Sequence, residues 1–104
     1  MRHLSLLAVL ALGLAAAPLS AQGSDNKGKF YFKKNCKTCH TADKGKEITP
    51  LSRTQAQWKK FFQAGKHKQD PLSKFSAADQ LVDIQTFLVN HASDSPAPET
   101  CGSN

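Results

Sequence analysis

Apolar side chains are gathered into four bursts along the chain, separated by polar stretches, and the last three predict helices. A helix is expected from about Asn26 to Lys37, capped by Ser24 or Asp25 and carrying the aromatic cluster Phe30-Tyr31-Phe32. The run Thr54-Gln55-Ala56-Gln57 has the form of a capping box. Trp58, Phe61 and Phe62 come next at i, i+3 and i+4, and Gly65 supplies a stop, which predicts a short amphipathic helix over about 55–64. A third helix is expected after Ser76 as its cap, with Leu81, Ile84 and Leu88 on one face, Val82 and Val89 alongside, and an end near His91. Thr41 to Thr49 and Gly65 to Phe75 read as loops. No period-two alternation is long enough to build a sheet, so the expected fold is all-α, with three main helices and long connections.

The first burst is of a different kind. Met1-Arg2-His3 is a basic start, Leu4 to Ala17 is apolar apart from Ser5, and Pro18-Leu19-Ser20-Ala21 resembles a cleavage region, so 1–21 reads as a secretory signal peptide. Its apolar stretch is shorter than the roughly 18 residues a membrane-spanning helix needs, and no later stretch is longer. The mature chain is therefore expected to be periplasmic or secreted, with no membrane span. From Ala92 to Asn104 the chain is Ser, Asp, Pro, Ala, Glu, Thr, Gly and Asn around a single cysteine, which predicts a disordered C-terminal tail.

Composition sharpens this picture. Of 104 residues, 14 are Lys or Arg and 8 are Asp or Glu, enough for one small domain and too few residues for a multidomain enzyme. Residues 27–68 hold 12 of the basic side chains and only Asp43 and Glu47 as acids, whereas 69–104 hold Lys74 against five acids. A chain this short buries little of its surface, and such domains often depend on a metal, a disulfide or a cofactor.

Cys36-Lys37-Thr38-Cys39-His40, at the end of the first predicted helix, is where such a staple belongs. The pattern Cys-x-x-Cys-His is that of covalent haem c attachment. Residues i and i+3 on a helix end face the same way, so both thiols can reach the two vinyl groups of one porphyrin, and the next residue aims an imidazole at the iron. A thioredoxin-like dithiol would want a preceding strand, and a zinc site a second ligand pair at suitable spacing; the sequence offers neither. A structural disulfide between Cys36 and Cys39 is the remaining alternative.

Over about Lys27 to His91 the chain resembles the small class I, monohaem cytochromes c, in the order aromatic helix, Cys-x-x-Cys-His, Pro-Leu, Trp-bearing helix, loop and final helix. The resemblance implies one haem c held by Cys36 and Cys39 within a domain of residues 22–91, with His40 as an iron ligand. Phe32 matches the aromatic residue four before the first cysteine. By the same resemblance, Pro50 is the proline whose carbonyl accepts the proton of the proximal imidazole, and Trp58 the tryptophan that packs near a haem propionate. Leu81, Ile84, Phe87 and Leu88 look like the helix that crosses the first one. Such cytochromes usually complete the iron with a methionine before the last helix, and here the only methionine is Met1. His67 lies close to the expected place and is taken as the sixth ligand, ahead of His91, which suits the end of a helix dipole.

The function expected from these readings is periplasmic electron transfer by a carrier that is not itself an enzyme. The potential should lie below that of His/Met relatives, because nitrogen replaces a thioether that raises it. Two alternatives stand beside it. An open or labile sixth position would make the protein a binder or sensor of O₂, NO, CO or peroxide, and a dedicated haem subunit of a larger oxidoreductase is the other. Lys33, Lys34, Lys37, Lys44 and Lys46 flank the attachment segment and suit redox partners with acidic docking faces. Nucleic acid is not an expected partner, and Cys101 is available for a disulfide-linked dimer.

Overall fold

Ser24 opens the first helix, as one of the two predicted caps: its side chain accepts from the Lys27 amide, and Asp25 stands in the first turn, where a negative charge meets the positive end of the dipole. Residues 23–41 and 46–100 are described in this computed structural model. The predicted signal peptide 1–21, Lys44 and Cys101 lie outside the described residues. Helix α1 runs Asp25–Tyr31 and continues without a break as a π-helical segment, Phe32–Cys36, which closes with the Lys37 amide donating to the Phe32 carbonyl at 2.9 Å. A turn over 37–40 completes the cysteine motif.

Helix α2, Gln55–Ala64, has both halves of its capping box: the Thr54 side chain accepts from the Gln57 amide, and the Gln57 side chain accepts from the Thr54 amide. It ends on Gly65 at φ 70°, a left-handed position that glycine occupies without strain. Helix α3, Ala78–Asn90, starts one residue later than its predicted cap implies. Ala77 stands at the N-cap, with the Gln80 side chain accepting from its amide, while the buried Ser76 hydroxyl accepts from the Asn35 side chain at 2.8 Å. Ser76 thus joins the first helix to the third instead of capping.

The fold is helix-rich, and the loop before α3 holds a two-residue antiparallel ribbon, Lys66–His67 paired with Asp70–Pro71. Lys68 sits at its tip with φ 60°. Among the described residues, no helix is long and apolar enough to cross a membrane.

Helices α1 and α3 pack most closely, with Gly28 at the crossing. The core consists of Phe32, Trp58, Ile84, Phe87, Leu88 and Ala92, so the predicted face of α3 holds at Ile84 and Leu88 while Val82 turns to solvent. Ala92 belongs to the tail expected to be disordered, and here the structure corrects the sequence reading. Residues 92–100 form a strap across all three helices. The Ser93 amide donates to the Arg53 carbonyl, Asp94 accepts from the Gln55 amide at the start of α2, and Glu99 meets Lys29 of α1 at 2.7 Å. The segment's polar groups find partners in helix ends and turns, which a composition-based reading does not see.

Candidate functional site

The π-helical segment brings Asn35 and Cys36 to one side of a cavity of about 270 Å³, partly open to solvent, with Cys39 and His40 supplied by the turn after it. Trp58, Phe61 and Phe62 of α2 form a second wall, Leu81, Ile84 and Leu88 of α3 a third, and the ribbon loop closes the circle with His67, Leu72 and Phe75. The lining is almost wholly apolar. Five of the six residues singled out from sequence for the haem converge on it: Cys36, Cys39, His40, Trp58 and His67.

The two imidazoles, 27 positions apart in sequence, have ring centroids 5.7 Å apart, and His67 is flanked on its other side by Phe75 at 5.4 Å. The two imidazole planes meet at 65°, an edge-to-face approach that puts both imidazoles within reach of one small group in the cavity. His40 Nδ1 lies 3.2 Å from the Lys46 carbonyl. A carbonyl only accepts, so in the neutral ring the proton is on Nδ1 and the lone pair on Nε2, the tautomer a metal-binding histidine requires.

Pro50 does not play the part expected of it. The Lys46 carbonyl, not that of Pro50, holds His40, and the Pro50 carbonyl accepts from Trp58 Nε1 at 2.9 Å. Pro50 is buried but does not line the cavity, and its 3₁₀ turn, Pro50–Ser52, braces the tryptophan instead. Trp58, 1% exposed, does line the cavity, with its indole N–H directed at the protein backbone. Trp58→Phe leaves a buried carbonyl without its donor and should lower stability by about 1–3 kcal/mol, read from the urea midpoint.

Neither cysteine is in a disulfide. Burial, and then the proximity of Cys39, push the Cys36 thiol up to about 11, so it is protonated at neutral pH. A dithiol oxidoreductase needs the opposite, a depressed thiol at the first position, and no strand precedes the segment among the described residues. Among those residues, too, no group of three or more His, Cys, Asp or Glu side chains is placed to hold a bare metal ion. His91 lies elsewhere, at the C-cap of α3, with Nε2 at 3.0 Å from Asp25.

Sequence reasoning missed Arg53. It lines the cavity mouth with its guanidinium 5.6 Å from the Trp58 ring and 5.7 Å from Phe61. The signal was available, since Arg53 and Trp58 occupy the N′ and N4 positions that a hydrophobic staple joins around a capping box, here filled by a cation and a ring. Asn35, which also lines the cavity, was missed too. It donates to Ser76 and Gln80 at the start of α3.

No family model, curated protein or solved structure matches this chain.

The lysines beside the motif divide by what they touch. Lys37 lies 3.8 Å from Glu47, and Lys34 reaches over the Phe30 ring, while Lys46 is exposed.

Proposed function

We propose that this chain is an exported monohaem c-type cytochrome that carries electrons in the periplasm, with its haem seated in the cavity between the π-helical segment, α2 and the ribbon loop. The convergence of Cys36, Cys39, His40 and His67 on one apolar cavity, with the two imidazoles at 5.7 Å, carries this reading. Bound there, the haem supplies a one-electron iron couple. Cys36 and Cys39 would hold it through thioether links to its two vinyl groups, each the addition of one S–H across one double bond with no oxidant consumed. His40, fixed by Lys46, and His67 are the iron ligands. Trp58, Phe61, Leu81 and Ile84 exclude water, which lowers the reorganisation that electron transfer requires. Arg53 lines the cavity with a guanidinium that would pair with a carboxylate group of the cofactor.

The predicted export signal and the basic flank of the motif support a partner met outside the cytoplasm with an acidic face, in small transient contacts. The test is the absorption spectrum of the holoprotein, ferric and dithionite-reduced, with and without CO. Low-spin spectra in both states, unchanged by CO, are expected, together with a potential below that of His/Met cytochromes. His67→Ala should then give a high-spin ferric form whose reduced state takes up CO at once. CO uptake by the unaltered protein would overturn firm ligation by His67 and favour small-ligand binding, a reading that the position of His67 on a two-residue ribbon makes specific.

A further inference from the structure

At the C-cap of α3 and outside the cavity lining, the His91 ring is held on both nitrogens. Nε2 lies 3.0 Å from each oxygen of the Asp25 carboxylate, and Nδ1 lies 2.7 Å from the Ala97 carbonyl and 3.4 Å from Glu99 Oε1. Every one of these partners accepts and none donates, so a neutral imidazole, with one N–H, leaves one nitrogen's lone pair facing an oxygen. Only the doubly protonated ring satisfies both sides. Asp25 comes from α1 and Ala97 and Glu99 from the strap, so the ring is the joint between them.

We infer that His91 is a protonated clasp that fastens the strap, residues 92–100, to α1 and α3, and that loss of its ring proton releases the strap.

The charged groups around the ring agree in sign. Asp25 on α1 and Glu99 on the strap favour the cation; Lys29 on α1 pairs with Glu99 at 2.7 Å and tempers it; on α3, Asn90 donates to Asp25. Burial against Phe87 disfavours the imidazolium, but the Ala97 carbonyl, Asp25 and Glu99 outweigh it, and the His91 pKa is raised from its ordinary value. Since the closed form holds the proton more tightly, closure is fully supported below the ordinary value of about 6.5 and is lost as the pH climbs through the raised one. Release matters for the cavity, because Ser93 and Asp94 of the strap bond to Arg53 and to the first turn of α2, which form one of its walls. The inference does not depend on the haem reading.

Hydrogen exchange of the strap amides, corrected for intrinsic rates and followed between about pH 6 and pH 9 on the purified full chain, tests it; His91 titration by NMR runs alongside. The amides of Ser93, Ser95 and Glu99 each donate to a backbone carbonyl and are the probes. Their protection is expected to fall by up to about tenfold per pH unit above 6.5 and then level off, in step with the ring, while amides in the middle of α3 stay protected. His91→Gln, which cannot titrate, should flatten the profile, and Glu99→Gln should shift it to lower pH. Strap protection that persists once the ring carries a single N–H, or protection that ignores pH, would overturn the clasp. If His91→Gln fails to fold, the unaltered protein and Glu99→Gln still decide.

Discussion

Gly28→Ala is expected to destabilise the protein by about 3 kcal/mol, although alanine improves helix propensity by about 1 kcal/mol in an unconstrained helix. The added methyl would run into the Asp83 carbonyl oxygen and lie 2.8 Å from the Phe87 Cβ. Both obstacles are fixed, one by the α3 backbone and the other by a fully buried side chain, so the helices must move apart along their whole contact. Domains of this size are held together by roughly 5–10 kcal/mol, and the loss should show as a large drop in the urea midpoint. At Gly65 a methyl meets nothing within 4 Å, and only its left-handed φ opposes substitution. A Gly28→Ala protein as stable as the parent would mean that α1 and α3 do not cross here.

Replacing both Cys36 and Cys39 with serine should abolish covalent haem altogether. Haem is expected to stay with the parent polypeptide through acid-organic extraction and denaturing electrophoresis, and to leave the double variant completely. Each single variant keeps one link and should shift the reduced absorption bands. Serine preserves volume and some polarity but cannot form the thioether, so the result reports the bond and not the packing. Haem still fixed to the double variant would sink the proposed function, whatever the spectrum of the parent.

Where a feature depends on neighbours in sequence, it is readable from the sequence alone. The Thr54 box, the Gly65 stop and the helix end at the 36–40 motif are set by residues at most four apart, and each falls where it is expected. His67 is legible as a candidate because the sequence offers so few ligands, but its approach to His40 is a tertiary fact. Pro50 is misassigned by resemblance because any carbonyl can accept, and which one faces His40 depends on how the chain turns after the motif; Lys46 does so. Gly28 gives no local sign of its role, since nothing around it says which helix will cross there. The strap escapes a sequence reading for a related reason. Its residues bury little apolar surface of their own, and Ala92 and Ser95 are hidden in a segment tied to elements tens of residues away in the sequence.

The π-helical segment separates two requirements that one helix would otherwise have to meet together. A π turn carries one more residue than an α turn, so the residues beyond it are advanced by roughly 100° around the axis. Gly28 must point at α3 and Cys36 into the cavity, and the extra residue between them lets each direction be set without disturbing the other. Only the crossing at Gly28 is upstream of the extra residue; Phe32 and Asn35 within the segment also meet α3, through Phe87 and Gln80. A change in the length of Phe32–Asn35 would therefore rotate the cysteines relative to Gly28 and break the Asn35 link to α3.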